Sequence, residues 1–184
     1  MNTLIFNGAT RRHGDTAALI DAFTSALSGR VDVVDCHAPG LSPCLDCRAC
    51  QRAPGCVIDD DMQAVYPLIE RADNIIIASP IWYSALSGPL MSAMSRLQPF
   101  FYARRRGEPG LSGRVRRGGV LLCGGGSGDA EPAMALARWL LRAMNCREIL
   151  PAVASLDTDR LPAALDARAL AAARALAGRF NGGA

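Results

Sequence analysis

The chain has no lysine: all twenty of its basic residues are arginine. In a chain this rich in alanine, that bias reads as the mark of a GC-rich coding sequence rather than of a function. Without lysine there is no P-loop, whose lysine must reach the phosphates of a nucleoside triphosphate. Histidine is nearly absent too, and the two present, His13 and His37, stand alone in sequence, so neither is assigned as a metal ligand or a base. Aromatic residues make up only 5% of the chain. The net charge of +3 is too small and too scattered for nucleic-acid binding. No apolar run approaches the roughly 18 residues that cross a bilayer. The first residues enter a strand without a basic segment and cleavage site, so a cytoplasmic chain is expected. In that compartment seven cysteines point to metal or redox chemistry before disulfides.

What is present is a polar loop, residues 7–16, between two apolar segments. Leu4, Ile5 and Phe6 before it read as a buried strand of a parallel sheet. Leu19, Ile20, Phe23 and Leu27 after it fall on one face of a helix. A helix opening at Asp15 or Thr16 leaves its first N–H groups without internal partners, and its dipole favours negative charge there. Arg11 adds positive charge and Thr16 a hydroxyl, so a phosphate would fit. The alternative is an ordinary strand–turn–helix connection.

The alternation continues along the chain. Residues 31–35 form a second strand, and residues 36–56 a loop too long for a simple connection. Asp59, Asp60 and Asp61 cap a helix with Met62, Val65, Leu68 and Ile69 on one face. Residues 74–79 are the clearest central strand, followed by Pro80-Ile81-Trp82-Tyr83-Ser84 and a helix over about residues 86–101. Residues 102–117 read as a solvated, arginine-rich loop, in which Arg104, Arg105 and Arg106 could meet a ligand's phosphate. Residues 119–123 give a fourth strand before Gly124-Gly125-Gly126-Ser127-Gly128. A helix carrying Met134, Leu136, Leu140, Leu141 and Met144 precedes a fifth strand near residues 148–153. The last helix sets Leu165, Ala169, Ala172, Leu176 and Phe180 on one stripe. Five strands alternating with five helices predict one α/β domain over residues 1–184. Its core is a flavodoxin-like doubly wound five-stranded parallel sheet in the order 2-1-3-4-5, with helices on both faces.

In such a sheet the ligand crevice lies outside the carboxyl ends of the strands, where the winding reverses. The loops after strands one, three and four all reach it. Trp82 and Tyr83 leave a buried strand there, where a large flat ring system could lie against them. Glycines 124–126 have no Cβ, so the backbone can approach a planar ligand and present N–H groups to it. Taken singly, the aromatic pair could be core and the glycines a flexible connection. Taken together, the three loops converge on one place.

Gly8, Arg11, Gly14 and Thr16 match the phosphate loop G-S-x-R-x-x-S/G-N-T of the flavodoxin-like NAD(P)H-dependent FMN reductases, with Ala9 for the usual serine and Asp15 for the usual asparagine. Asp59-Asp60-Asp61-Met62, Ser79-Pro80-Ile81-Trp82-Tyr83, Ser87-Gly88-Pro89-Leu90 and Arg96 resemble, in order, that family's DDM, SPxY(W/F), S(G/A)xLK and (D)R segments. Residues 124–128 resemble its third flavin loop. Met91 stands where lysine is usual and Ser95 where aspartate is usual. The resemblance runs to about residue 150 and implies FMN as cofactor. It puts Ala9, Thr10, Arg11, Gly14, Asp15 and Thr16 on the phosphate. Pro80, Ile81, Trp82, Tyr83, Ser84, Gly124, Gly125 and Gly126 would surround the isoalloxazine. It also implies NAD(P)H as electron donor and a homodimer whose partner covers the flavin edge. The apolar residues 97–101 agree with a dimer, unless Phe100 and Phe101 pack in their own core. The flavin supplies the chemistry, so no side chain is assigned as acid or base.

Cys44, Cys47, Cys50 and Cys56 are spaced C-x2-C-x2-C-x5-C. Three cysteines at two-residue intervals can curl round a cubane that a fourth closes, whereas structural zinc usually draws on two separated pairs. The spacing resembles that of the iron–sulfur flavoproteins, a branch of the same family that carries a [4Fe–4S] cluster beside FMN. The alternative, found in cluster-free relatives, is a loop of reduced thiols or disulfides. Arg48 and Arg52 suit either. Cys36, Cys123 and Cys146, in strands or at their ends, read as core residues. The leading function is an FMN-dependent oxidoreductase that takes hydride from NAD(P)H and passes electrons to a small acceptor such as a flavin or quinone. The second is an iron–sulfur flavoprotein relaying electrons through the cluster. A flavodoxin shuttle is disfavoured, because such shuttles are strongly acidic.

Overall fold

The computed structural model describes residues 1–108, 114–126 and 128–182. Part of the arginine-rich loop (109–113) and Ser127 of the glycine run lie outside the described residues. The first apolar run is β1 (Asn2–Asn7), and the helix after the polar loop is α1 (Asp15–Ser25), starting where the orphan-donor pattern placed it. There follow β2 (Arg30–Asp35), a single turn α2 (Ala49–Arg52) inside the cysteine loop, α3 (Met62–Arg71), and β3 (Asn74–Trp82). A short β4 (Ala85–Leu86), α4 (Gly88–Ser95), α5 (Gln98–Arg105), β5 (Arg116–Gly124) and α6 (Glu131–Ala143) come next. The chain closes with β6 (Cys146–Ile149), β7 (Val153–Leu156), a 3-10 turn (Ala163–Leu165) and α7 (Ala167–Asn181).

The sheet runs β2-β1-β3-β5-β6, with all of these pairs parallel. This is the expected order 2-1-3-4-5. The fifth position is shared by two short strands, β6 along the start of β5 and β7 along its end. Pro151 falls between them and has no N–H to give to the ladder, so the strand expected over residues 148–153 breaks there. The other addition is β4, which folds back antiparallel on β3 through Trp82↔Ala85.

β1, β3 and β5 bury both faces, as continuous apolar runs in a parallel sheet should. On one side Ile5, Ile76 and Leu121 meet Leu19 and Phe23 of α1 and Phe180 of α7. On the other, Phe6, Ile77 and Leu122 meet Ile69 of α3, Leu90 of α4 and Leu140 of α6. Cys36, Cys123 and Cys146 belong to these cores, and burial pushes each thiol up to about 12. They are apolar packing groups.

Three expectations change. The helix expected over 86–101 is two helices, and Pro99 in the first turn of α5 cannot donate to a ladder continuing from α4. The stripe of α7 is Ala169, Ala173, Leu176, Ala177 and Phe180, with Leu165 exposed in the 3-10 turn and Ala172 facing solvent. Arg116 is not on a solvated loop. It is fully buried at the start of β5 and donates to the carbonyls of Ile69 (3.1 Å) and Glu70 (2.9 Å). It thereby satisfies acceptors that the end of α3 leaves without helical partners.

Candidate functional site

The carboxyl ends of β1, β3 and β5 lie side by side, and hydrogen bonds sew the loops leaving β1 and β3 together. Gly8 N donates to Ala78 O (2.8 Å), and Ser87 Oγ donates to Gly8 O (2.7 Å). Ser87 N in turn donates to Ser79 Oγ (3.1 Å), and both serines are fully buried. A Cβ on Gly8 would stand 2.6 Å from Ser87 Oγ and 2.9 Å from Leu90 Cβ, so the seam closes only over glycine. Beyond it, Asn7 Oδ1 accepts from Ala9 N (3.0 Å) and shapes the turn carrying Thr10 and Arg11.

Gly14 is the N-cap of α1, and no side chain caps the helix. The first N–H groups of α1, those of Asp15, Thr16 and Ala17, therefore face the crevice end without helical acceptors. Arg11 donates to Asp15 Oδ2 (2.8 Å), with the arginine 77% exposed and the aspartate 16%. Asp15 Oδ1 accepts from Ala163 N (2.9 Å). Thr16 is buried.

Trp82 is 43% exposed and Tyr83 entirely exposed, so they are not a core pair. Tyr83 and Ser84 both have positive φ, 51° and 60°, in the two-residue connection from β3 to β4. That is the backbone of a type I′ turn, which usually takes Asn-Gly. Pro80 and Ile81 lie at the end of β3, half-buried. On the third loop, Thr158 N donates to Gly124 O (2.9 Å) and Asp159 N to Gly125 O (3.0 Å). A Cβ on Gly125 would lie 2.7 Å from the Asp159 carboxylate. Gly125 thus lies directly against the Asp159 side chain. Nothing crowds Gly126.

Four cysteines line a second cavity of about 270 Å³: Cys44, Cys47, Cys50 and Cys56, with Arg96 and Tyr102. The corner between α4 and α5 holds their loop in place. Arg96, 1% exposed, donates to both Asp60 oxygens (2.6 and 3.1 Å), to Ser42 O (2.9 Å) and to Cys56 Sγ (3.4 Å). Its Nε is a buried donor without a partner among the described residues. Cys44 N donates to Ser95 Oγ (2.9 Å), which gives the serine in the aspartate's usual place a task. Gln51 Nε2 donates to Tyr102 OH (2.9 Å), and Arg106 clamps Cys50 O while pairing with Glu108. Arg106 is therefore committed to the loop rather than free for a ligand.

The electrostatics of the four thiols differ. Burial raises Cys50, and the neighbouring Cys56, Cys44 and Cys47 raise it further against the pull of its own backbone N–H. For Cys56, burial pushes up, but the Ile58 N–H and the Arg96 guanidinium outweigh it and the thiol is lowered. Among the described residues no three His, Cys, Asp or Glu side chains converge to hold a single metal ion. The cysteines surround a cavity instead of meeting at a point. Arg96 entered the sequence reading only as part of a motif, and its burial and partners had no sequence signal. Of the acidic trio, Asp61 is the N-cap of α3 but makes no side-chain cap bond; Asp60 accepts from Met62 N (3.1 Å), and its main partner is Arg96.

A parallel sheet of this order, with its crevice at the strand ends, defines a flavodoxin-like α/β protein. The profile of the family described as NADPH-dependent FMN reductase matches residues 1–160, and the chain belongs to that family. It is 26% identical over 147 residues to an iron-sulfur flavoprotein of Archaeoglobus fulgidus, covering 78% of this chain and 62% of that protein. It is 27% identical over 102 residues to one of Methanocaldococcus jannaschii, covering 54% and 53%. The chain thus matches less than two thirds of the length of either relative. Among solved structures, an NAD(P)H:quinone oxidoreductase from Methanothermobacter marburgensis shares the fold with a TM-score of 0.81. The match covers 100% of this chain and 98% of that one at 17% identity. No helix among the described residues is long and apolar enough to cross a membrane.

Breaking a buried ion pair leaves the surviving charge without compensation, at about 3–5 kcal/mol. Asp60→Asn is therefore expected to lower the unfolding free energy by about that amount in urea titrations at pH 7. Despite its burial, Arg96 and the Ser42 N–H hold Asp60 below the ordinary carboxylate value of 3.8. A lowered carboxylate stabilises above its ordinary pKa and loses that contribution as pH falls through the folded value. The stability difference between wild type and Asp60→Asn should accordingly shrink below about pH 4.

Proposed function

We propose that the chain binds one FMN at the carboxyl ends of β1, β3 and β5 and, with NAD(P)H as hydride donor, passes electrons to a small acceptor such as a flavin or quinone. The observation that carries this reading is the seam through Gly8, Ser79 and Ser87, which fixes the loops after β1 and β3 at one crevice beside an uncapped helix. The residues present fit the group. The free N–H groups of α1 with Arg11 suit a phosphate, and the exposed Trp82 and Tyr83 offer flat apolar surface at the rim. When bound, FMN supplies hydride and electron transfer, and the chain supplies binding and orientation. The glycines at 124–126 would present backbone N–H groups to the ring's carbonyls. The name of the M. marburgensis oxidoreductase supports a quinone as the class of acceptor.

Titration of the protein into FMN should quench flavin fluorescence with one site per chain. Because Arg11 is exposed and already paired, Arg11→Ala should weaken FMN by only about fivefold and leave riboflavin unaffected. A crevice that quenches neither flavin refutes the reading.

A second reading rests on the cysteine cavity: Cys44, Cys47, Cys50 and Cys56 hold a [4Fe–4S] cluster. That the four cysteines line one cavity suits a cluster held by all of them. The names of the archaeal relatives support it. Arg96 and Arg48 at the cavity would offset the negative charge of the thiolates, and when bound such a cluster supplies one-electron chemistry. Anoxic purification should give about four iron and four sulfide per chain. Changing any one of the four cysteines to serine should lose the iron and retain FMN. Iron-free protein reduced rapidly by NAD(P)H would leave the first reading alone.

We also propose a homodimer. Phe101 and Trp139, 44% and 63% exposed, line a groove of about 500 Å³ with Leu97 and Leu140. Sedimentation of the FMN-bound protein at micromolar concentration should give twice the chain mass, and Trp139→Glu should give the monomer.

A further inference from the structure

The phosphate loop contains its own competitor. Arg11 lies one helical turn before Asp15 at the uncapped start of α1, and its guanidinium is already engaged by Asp15 Oδ2 at 2.8 Å. Asp15 cannot readily turn away, because its other oxygen accepts from Ala163 N at 2.9 Å and ties the first turn of α1 to the 3-10 turn. The carboxylate is only 16% exposed, so it is held in the first turn of the helix whose N–H groups form the anion site. A carboxylate there already draws on the helix dipole. An incoming phosphate must share Arg11 with it and sit near a like charge.

We propose that Asp15 is the specificity-determining residue of the phosphate subsite. It sets the affinity for the phosphate of FMN by holding Arg11 and opposing a second anion, and so makes the flavin an exchangeable ligand rather than a permanently held one. The inference rests on the FMN reading above and concerns only how tightly the phosphate end is held. Asparagine at this position keeps an oxygen for Ala163 N, removes the charge and releases Arg11. The second bond explains how a carboxylate is accommodated at all: it anchors residues 157–166, which also hold Gly124 and Gly125 through Thr158 and Asp159.

The test compares FMN with riboflavin, which lacks the phosphate, by fluorescence titration of wild type and Asp15→Asn at fixed ionic strength. The phosphate carries nearly two charges at neutral pH, and a unit charge nearby opposes it even through water. Asp15→Asn should therefore bind FMN roughly tenfold more tightly, with riboflavin unchanged. Adding Arg11→Ala to Asp15→Asn should remove a larger factor than Arg11→Ala does alone, because only then is Arg11 free for the phosphate. FMN affinity unchanged or weaker in Asp15→Asn overturns the inference, as does an equal gain for both flavins. If neither flavin binds to wild type or variant, the FMN reading itself falls. Asp15→Ser, which also removes the charge, gives the same comparison if the asparagine variant does not fold.

Discussion

A buried guanidinium must find a partner for each N–H it carries or lose the free energy of its lost hydration. Arg96 meets that demand almost entirely from residues 42–60, taking Asp60, Ser42, Cys56 and Ile58 as acceptors. A loop rich in proline, glycine and cysteine, with little apolar surface of its own, is thereby given one conformation. Backbone strain collects in the same stretch: Asp46 and Arg48 both have positive φ, 49° and 59°. Such residues persist only where surroundings over-determine them. Ser95, Tyr102 and Arg106 supply that determination from the α4–α5 corner.

The crevice is built by a different means. There the glycine backbone approaches side chains closely, at Gly8 against Ser87 and at Gly125 against the Asp159 carboxylate. Close approach leaves these loops little room to adjust. The Tyr83-Ser84 turn adds local strain on the same rim, holding an aromatic ring fully in solvent.

The sheet was legible because β1, β3 and β5 are uninterrupted apolar runs, and burial on both faces leaves them few other arrangements. The four-cysteine grouping was legible because residue type and spacing carry it, and the polar loop before α1 because it separates two apolar elements. Breaks within elements were not. Pro99 and Pro151 each lie in a stretch whose apolar pattern continues across them, so periodicity ran through interruptions that the missing N–H imposes. The stripe of α7 slipped at Ala172 because the 3-10 turn takes Leu165 out of the helix that the pattern had assumed. Partners of long charged side chains had no local signal. Arg96 and Arg116 are among the most buried side chains; the acceptors of Arg96 lie 36 to 54 positions away, and those that Arg116 finds in α3 lie 46 and 47 away. Asp15 was legible as a departure from the phosphate-loop pattern, but its bond to Ala163, 148 positions away, was not.

Helix α4 begins just after Ser87, which grips Gly8 of the anion loop, and ends at Ser95 beside Arg96, which grips the cysteine loop. Eight residues of α-helix measure about 12 Å. The two cavities are therefore spaced by a single rigid rod, buried along Leu90, Ala93 and Met94, and not by a flexible chain. Redesigning either cavity alone means preserving the length and seating of α4, which works as the ruler between them.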